Sequence, residues 1–366
     1  MKINTITCHH AINHGAMLQA YALVRYLQKI GHEARIIDYL PDYLQGVKIF
    51  RGDSRYNKMG LGWLYVFAKL PSRLHTKWRE RTFHHFFEEC LPVTTHYDTI
   101  EELRHHAPDA DCYIAGSDQI WNTTFRNGTD SAFYLDFGKK DVLRLSYAAS
   151  FATDSLAEGT EMFVRTKLAN FDSISVRESS ALDLLRSLGY EGVQVVDPVF
   201  LLTADDWNGI ANEDGSNEDY ILVYDFMNDS GIRCIAKRLA KKYGCKIFSI
   251  GPTRLSYADR NYWKEGPRSF VSLIKRARCV VSNSFHGSAF SIIYHRDFFV
   301  VNRKDGLNTR MRDLLSHYQI AERQISSDAS DEILFAPINY KDIQGIVQRD
   351  IEASKQWLTK QLGLKQ

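Results

Sequence analysis

The segment that decides the fold is CVVSNSFHGSAFSIIY, residues 279–294. Apolar β-branched residues come first, small polar residues follow, and an apolar run with helical spacing ends the segment. This order predicts a buried strand that turns sharply into a helix. His286 and Gly287 fall at the turn. We therefore expect an α/β fold with a polar site where this strand ends.

The alternation of strand and helix runs through both halves of the chain. INTITC (residues 3–8) and HEARIIDY (residues 32–39) predict strands on either side of a helix that ends at Gly31. YILVYDF (residues 220–226) begins a second alternation. Because strand–helix–strand units build parallel sheets, the chain is predicted to form two such domains that face each other across a cleft.

The length of 366 residues supports two domains. We place the linker at the polar, acidic segment EDGSNED, residues 213–219. The first domain then spans 1–212 with a helical insertion at about 41–98, the second spans 213–340, and 341–366 is a terminal helix that can pack back on the first domain.

Composition excludes several classes of protein. Hydrophobic residues make up 44% and charged residues 25%, as in ordinary globular proteins, and the net charge of +2 predicts no nucleic-acid partner. The absence of a signal-like start and of a membrane-spanning apolar run predicts a cytoplasmic chain. Six cysteines without CxxC spacing predict buried free thiols.

His286 is the first candidate for chemistry. Backbone N–H groups at a helix N-terminus bind anions, with Asn283 or Ser284 as the cap, Gly287 allowing close approach and Ser288 in the same turn. An imidazole at this point can transfer a proton. The alternative is a histidine that only hydrogen-bonds a neighbouring loop.

Two arginines are candidates for holding an anion. In SISVRES, residues 173–179, Arg177 stands between a strand and a helix, where a guanidinium can bind a carboxylate or phosphate bidentately. A nearly inert surface pair with Glu178 is the alternative. Arg310, at the start of a later helix, is the second candidate.

The loop in YIAGSDQIWN, residues 113–122, follows a predicted strand and favours a sugar site. Carbohydrate sites combine carboxylates, amides and an aromatic platform. The residues of these types are Ser117, Asp118, Gln119, Trp121 and Asn122. A loop closed by an aspartate cap and a packing tryptophan would have a similar sequence.

CHHAINHG, residues 8–15, is rich in metal-ligand types. They lie on one loop with no distant second pair and no recognised zinc spacing, so we predict no metal site. The competing interpretation is a turn at Asn13 and Gly15 that opens a helix, whose N-terminus can meet an anion or a sugar.

KWRERTFHHFF, residues 77–87, mixes basic and aromatic residues. We expect a solvated amphipathic helix packed by Trp78, Phe83 and Phe87. Weak contact with a membrane surface is the alternative.

The motifs, taken together, resemble the polysaccharide pyruvyl transferase family. The resemblance extends in order from about Asn13 to Leu315 and is carried by NHGAMLQAYAL, AGSDQIWN, SYAASF, SVRESSALDLL, DPVFLL, VVSNSFHGSAFSII and NTRMRDLL. It implies an α/β protein with two Rossmann-like domains facing a cleft, similar in architecture to the B-type glycosyltransferases.

The resemblance also implies a reaction without a cofactor. The enolpyruvyl group of phosphoenolpyruvate would move onto two hydroxyls of a saccharide in polysaccharide biosynthesis, forming a cyclic pyruvate ketal and releasing phosphate. His286 matches the family's histidine and would transfer a proton, and Arg177 matches the arginine that binds the donor. The remaining residues divide into a donor side, with Asn283, Ser284, Gly287, Ser288 and Arg310, and an acceptor side, with Asn13, Gly15, Ser117, Asp118, Trp121 and Asn122.

One departure and two alternatives stay open. Many relatives have an arginine where this chain has Ser284, so Arg310 or the helix N-terminus would have to hold the donor's anionic groups. A sugar-nucleotide glycosyltransferase would need a stacking aromatic such as Trp263 and a carboxylate such as Glu265. A non-catalytic component of a polysaccharide assembly system is the other alternative. A lipid-linked acceptor, and with it contact at the inner face of a membrane, is compatible with the sequence.

Overall fold

A computed structural model of the chain describes residues 1–45, 62–212, 218–303 and 308–363. The strands of the first half are β1 (Lys2–Ile6), β2 (Glu33–Tyr39), β3 (Val93–Tyr97), β4 (Cys112–Ala115), β5 (Leu143–Ser146), β6 (Ser175–Val176) and β7 (Val193–Gln194). Its helices are α1 (His14–Lys29), α2 (Gly62–Cys90), α3 (Ile100–His105), α4 (Glu161–Leu168), α5 (Ser179–Ser187) and α6 (Ala204–Asn208), with 3₁₀ turns at Arg126–Thr129, Ser131–Tyr134 and Pro198–Leu201.

The second half repeats the alternation. Its strands are β8 (Tyr220–Tyr224), β9 (Lys246–Ile250), β10 (Arg260–Tyr262), β11 (Cys279–Ser282), β12 (Asp297–Val301) and β13 (Gln324–Ile325). Its helices are α7 (Ser230–Tyr243), α8 (Pro267–Arg276), α9 (Phe285–Ile293), α10 (Thr309–His317), α11 (Asp331–Phe335) and α12 (Tyr340–Gln361), with a 3₁₀ turn at Ala321–Arg323.

Both sheets are parallel. The first has five strands in the order β3-β2-β1-β4-β5, and the second has six in the order β10-β9-β8-β11-β12-β13. The central strands β4 and β11 are buried along their whole length, as expected where helices cover both faces of a parallel sheet. Single bridges connect β5 to the short β6–β7 pair. The predicted fold class, two Rossmann-like domains facing a cleft, is therefore confirmed.

The N-terminus of α1 connects the two halves. His14, fully buried, places Nε2 3.0 Å from the Glu265 carbonyl oxygen and Nδ1 3.3 Å from the Tyr224 hydroxyl. Its ring stacks on Phe270 of α8, with ring centroids 5.0 Å apart. One apolar cluster runs through residues of both halves. The contact fixes where the carboxyl ends of the two sheets meet.

The predicted insertion at about 41–98 is wrong at its end. Residues 93–97 form β3, which pairs with β2 at the edge of the first sheet. Because β3 has the polar sequence VTTHY, with only its last residue buried, it lacks the apolar alternation that identifies a strand. Residues 46–61 of the insertion and residues 213–217 of the predicted linker lie outside the described residues.

The terminal helix α12 contacts the first half. Ser354 Oγ accepts a hydrogen bond of 3.0 Å from the Val196 amide, and the Ser173 hydroxyl lies 2.7 Å from Gln361 Oε1. None of the helices in the described ranges is long and apolar enough to cross a membrane. All six cysteines are free thiols, but burial was correctly predicted only for Cys112 and Cys279, since Cys8, Cys90 and Cys245 are partly buried and Cys234 is exposed.

Candidate functional site

The site lies where strand ends of both sheets converge. His286 follows β11 in the first turn of α9, Arg177 follows β6, and Asp197 follows the short β7. All three side chains are buried. Their closeness follows from the parallel topology, because every strand of such a sheet ends at the same edge.

Asp197 joins the arginine to the histidine. Its Oδ2 accepts a 2.6 Å hydrogen bond from Arg177 Nη1 and lies 3.5 Å from His286 Nε2. The Ser117 hydroxyl donates to the same oxygen over 3.2 Å. One carboxylate oxygen thus holds a guanidinium in place and faces an imidazole that can carry a positive charge.

The charges of this cluster support one another. Burial alone would raise the pKa of Asp197, but His286 and Arg177 outweigh burial and hold that pKa below its ordinary value. Burial would likewise lower the pKa of Arg177, and Asp197, Glu178 and Asp118 together raise it instead. The ionised Asp197 therefore places a negative charge 3.5 Å from His286 Nε2.

Gly15 sets the position of the His286 ring. A Cβ added to Gly15 would lie 2.0 Å from His286 Nδ1 and 2.2 Å from its Cγ, so any other residue there would displace the ring. Asn13 caps α1 by accepting from the Gly15 and Ala16 amides over 2.9 and 3.3 Å. The start of α1 thus acts as a backbone platform for the histidine.

Arg310 lies beside Arg177. Its Nη1 is 3.5 Å from Asp118 Oδ1, and both guanidinium groups approach the ring of Phe285, at 4.6 Å for Arg177 and 6.0 Å for Arg310. Burial, together with the nearby Arg177, lowers the pKa of Arg310 to about 10. Two cations held this close favour an anion between or beside them.

A cavity of about 110 Å³ borders this pair of arginines. Asp197 and Phe285 line the same cavity, whereas His286 is not among the described residues that line it. Within the described ranges, Arg177 Nε and Nη2 have no hydrogen-bond partner although they are buried. Buried donors without partners are costly, and an anionic ligand would satisfy them.

Several donor-side predictions need correction. Ser284 occupies the N-cap position of α9, but its side chain makes no capping bond. Asn283 does not cap either, because its side chain donates to Asp225 Oδ1 over 2.9 Å. Gly287 allows close approach to the strand, since a Cβ there would lie 2.9 Å from Ser282 Oγ. Ser288 is buried and its hydroxyl lies 3.4 Å from the Ser284 carbonyl oxygen.

The acceptor-side predictions divide into two groups. Ser117 and Asp118 lie in the Arg177–Asp197 cluster, and Asp118 has a positive φ of 72° at the tight turn after β4. Trp121 is wrong as a sugar platform, because it is fully buried and donates through its indole to the Phe133 carbonyl oxygen over 3.0 Å. Asn122 is wrong for the same reason, since it is buried and bonds Gln119 within its own loop.

Sequence reasoning missed Asp197 and the role of Glu178. Glu178 is not a surface partner of Arg177; it is buried, and Oε1 accepts from the Ser150 hydroxyl and the Ala152 amide over 2.8 and 2.9 Å. Its Oε2 lies 3.8 Å from Arg177 Nε. Asp197 could have been found, because the Asp-Pro dipeptide directly follows a predicted strand.

The helix predicted over residues 77–87 is part of α2, but its packing differs from the prediction. Phe83 is buried and Phe87 is partly buried, whereas Trp78 is 50% exposed. Arg79 is buried rather than solvated. The exposed face of α2 is therefore aromatic as well as basic.

The residues proposed for a nucleotide do not form an open platform. Trp263 is buried and covered by His75, with ring centroids 4.0 Å apart. Glu265 Oε2 accepts from the Ser269 hydroxyl over 2.6 Å. Neither side chain is placed to stack on a base or hold a ribose.

The fold and site define an α/β protein with two Rossmann-like domains and a buried Arg–Asp–His cluster between them. The profile of the family described as polysaccharide pyruvyl transferase matches residues 13–305. The chain therefore belongs to the polysaccharide pyruvyl transferase family, a family of transferases. No curated protein sequence matches the chain.

Several solved structures are similar to the chain at low sequence identity. The UDP-GlcNAc 2-epimerase of Methanocaldococcus jannaschii has a TM-score of 0.49 at 12% identity, over 94% of this chain and 92% of that one. S. aureus MnaA with UDP has 0.47 at 15%, over 100% and 97%. The glycosyltransferase SnogD of Streptomyces nogalater has 0.47 at 12%, over 99% of each. Similarities of this size say nothing about the substrate of this chain.

Proposed function

We propose that the protein transfers the enolpyruvyl group of phosphoenolpyruvate onto two hydroxyls of a saccharide, forming a cyclic pyruvate ketal and releasing phosphate. The observation that carries the proposal is the buried contact of Arg177, Asp197 and His286 at the junction of the two sheets. It combines an anion-binding guanidinium with a proton-transferring imidazole, the two functions that this reaction needs.

The donor carries a carboxylate and a phosphate. Arg177, through Nε and Nη2, which have no hydrogen-bond partner among the described residues, and Arg310 beside it would bind these groups. Arg310 thereby takes the place of the arginine that many relatives have at the position of Ser284. The carboxylates of Asp118 and Glu178 would orient the two guanidinium groups, and the positive charge of those groups would offset the repulsion between the carboxylates and the anionic donor.

In the proposed reaction His286 donates one proton and later receives another, so the protonated histidine is regenerated in each turnover. His286 donates to the methylene carbon of the donor, which gives an oxocarbenium-like centre at the neighbouring carbon, and Asp197 stabilises the imidazolium before transfer. A saccharide hydroxyl attacks that centre and its proton returns to His286. The carbon–oxygen bond to phosphate then breaks, and a second hydroxyl closes the ring. One hydroxyl hydrogen ends on the new methyl group and the other on phosphate.

The test is phosphate release from phosphoenolpyruvate with a panel of galactose- and mannose-type acceptors. We expect release that depends on the acceptor and that His286→Ala reduces by about 10²- to 10⁴-fold, the usual contribution of a general acid. Ser291→Ala is the matched control, because Ser291 lies on the same helix and its hydroxyl donates to the Gly287 carbonyl oxygen of that helix. Tight binding of a sugar nucleotide without phosphate release would favour a glycosyltransferase.

We also propose that the acceptor is lipid-linked and is met at the inner face of a membrane. One stripe of α2 exposes Trp63, Phe67 and Trp78, which are 61%, 65% and 50% exposed. The positions fall on one side of the helix. The exposed Lys264 lies 4.2 Å from the Trp78 ring, so the aromatic stripe carries positive charge at its edge. Aromatic side chains beside basic ones are typical of contact with anionic lipid surfaces.

Vesicle sedimentation tests this second proposal. We expect the protein to sediment with vesicles that contain anionic lipid, and Trp63→Ser combined with Phe67→Ser to abolish the binding. Phe125→Ser, which removes a 46% exposed aromatic residue elsewhere, is the control. Sedimentation that the double variant leaves unchanged would contradict membrane contact through α2, without affecting the proposed reaction.

A further inference from the structure

A cluster of histidines and a carboxylate lies at the carboxyl ends of β1 and β2, apart from the Arg177–Asp197–His286 contact. His9 and His10 come from the loop after β1, and Asp38 comes from β2. One nitrogen or oxygen of each lies within 4.8 Å of the others. The sequence of the loop after β1 predicts no metal site, because it contains no ligand from a distant part of the chain. In the fold, Asp38 of β2 is that ligand.

The hydrogen bonds of His9 fix which nitrogen faces the cluster. Nδ1 lies 2.9 Å from the Thr7 carbonyl oxygen, which can only accept, so Nδ1 carries the hydrogen. In the neutral ring Nε2 then has a lone pair. Nε2 is buried, has no hydrogen-bond partner among the described residues, and lies 3.5 Å from Asp38 Oδ1. A lone pair beside a carboxylate oxygen is repulsive unless a proton or a metal ion lies between them.

A second imidazole approaches the same oxygen. His10 Nε2 lies 2.5 Å from Asp38 Oδ1. Ligands of a tetrahedral zinc ion at 2.0–2.2 Å are separated from one another by about 3.3 Å. The separation of 3.5 Å between His9 Nε2 and Asp38 Oδ1 fits that geometry as it stands, and the separation between His10 Nε2 and Asp38 Oδ1 would have to lengthen by about 1 Å.

The surroundings hold these groups in place. The Thr7 carbonyl orients His9, in the way that backbone carbonyls orient metal-ligating histidines. His96 Nδ1 lies 2.9 Å from Asp38 Oδ2 and its Nε2 lies 3.2 Å from Asp98, so the carboxylate is supported from its other oxygen. The ring of Phe87 covers both loop histidines.

We infer that His9 Nε2, His10 Nε2 and Asp38 Oδ1 bind a divalent transition-metal ion of the zinc class. Imidazole and carboxylate ligands suit zinc, cobalt and nickel rather than magnesium or calcium. Three protein ligands leave a fourth position for water or for an anionic group of a ligand. The inference does not depend on the proposed reaction.

Calorimetric titration of the untagged, chelator-treated full chain with Zn²⁺ tests the site. We expect one equivalent bound at micromolar or tighter Kd, and at least about a tenfold loss of affinity in His10→Ala and in Asp38→Asn, the scale seen when metal sites lose supporting groups. His10 is partly exposed, so its removal spares the core. His84→Ala is the matched control, because His84 also faces a carboxylate, Glu88 at 3.3 Å, on the surface of α2.

Cobalt absorption and thermal unfolding separate a specific site from weak surface binding. Bound Co²⁺ should give the intense visible bands of a four-coordinate nitrogen and oxygen site, and Zn²⁺ should raise Tm of the native chain but not of Asp38→Asn. No saturable binding, binding that survives both variants, or binding that His84→Ala removes equally would overturn the inference.

Discussion

Two strand-to-helix turns meet at the junction of the sheets, and they use their helix N-termini differently. In the turn before α1, the Asn13 side chain accepts hydrogen bonds from two backbone amides, and His14 Nε2 bonds the Glu265 carbonyl oxygen in the second half of the chain. In the turn before α9, Ser284 makes no side-chain capping bond and the following His286 faces a charged cluster. The first turn is capped by its own side chain, whereas in the second the Asn283 side chain bonds Asp225 and the Ser284 hydroxyl makes no capping bond. The comparison distinguishes a structural turn, the one before α1, whose side chains stabilise the fold, from a functional turn, the one before α9, which carries the proposed catalytic histidine.

The largest expected effect comes from the functional turn. We expect His286→Gln to lower kcat for acceptor-dependent phosphate release by about 10²- to 10⁴-fold, because the proposed reaction assigns the proton transfer to the imidazole. We expect a smaller effect on Tm, since glutamine keeps a polar side chain at the buried position beside Asp197. Steady-state kinetics and a thermal unfolding curve measure both. A large fall in Tm at unchanged kcat would reverse the roles assigned to the two turns.

Gly15→Ala tests the contact between the turns. The new Cβ would lie within 2.0 Å of the His286 ring atom Nδ1, so the ring must move, and a displacement of about 1 Å lowers activity by about 10²-fold. Gly345→Ala in α12 is the matched control, because its Cβ would meet open space. Full activity in Gly15→Ala would show that the ring position does not matter.

Acidification tests the structural turn. Burial lowers the pKa of His14 to about 3, below its ordinary value of 6.5. Between pH 6.5 and pH 3 the unfolded chain therefore binds a proton at His14 that the folded chain does not bind. The contribution of neutral, buried His14 to the free energy of unfolding is fully present above pH 6.5 and decreases as the pH falls toward 3. The slope is about 1.4 kcal/mol per pH unit for one proton, or about 2 kcal/mol by pH 5.

Denaturant unfolding at several pH values measures that slope. His14→Gln should flatten it by the equivalent of one proton, whatever its stability at neutral pH. His105→Gln is the control, because it removes an exposed histidine that lies outside the contact between the halves. An unchanged slope in His14→Gln would place the proton uptake elsewhere.

The caps give the smallest expected effect. Asn13→Ala should lower the free energy of unfolding by about 1 kcal/mol, because two amides at the start of α1 lose their acceptor. Ser284→Ala should change it by less than about 0.5 kcal/mol, since its hydroxyl caps nothing. Urea denaturation of both variants compares the turns directly. Equal losses would show that both N-termini are capped in solution.

Local sequence patterns predicted the parts of the site that sit within one segment. His286 and Arg177 each stand between an apolar strand and a helix, and such a boundary can be recognised from neighbouring residues alone. Asp197 was missed as a partner because its contact with His286 joins residues far apart in the chain. The same limit applies to Asp38, which reaches His9 and His10 only through the pairing of β1 with β2.

Residue type alone misled where burial decides the role. Trp121 has the composition expected of a sugar platform, yet it packs against Tyr134 and Phe151 in the core. Arg79 looks solvated in a basic segment and is buried. The strand β3 was missed because an exposed edge strand needs no apolar alternation. The burial of Trp121 and Arg79 and the exposure of β3 each depend on which side of a helix, loop or strand faces the rest of the fold.

The most direct test of the central claim is the product formed from phosphoenolpyruvate and a saccharide acceptor in heavy water. The exchangeable protons, that of His286 included, are replaced by deuterium, so we predict a pyruvate ketal whose methyl group carries one deuterium, seen by NMR and mass spectrometry. With His286→Gln we predict that this product forms about 10²- to 10⁴-fold more slowly. Consumption of a sugar nucleotide with no change in phosphoenolpyruvate, or a ketal formed at full rate without the histidine, would contradict it.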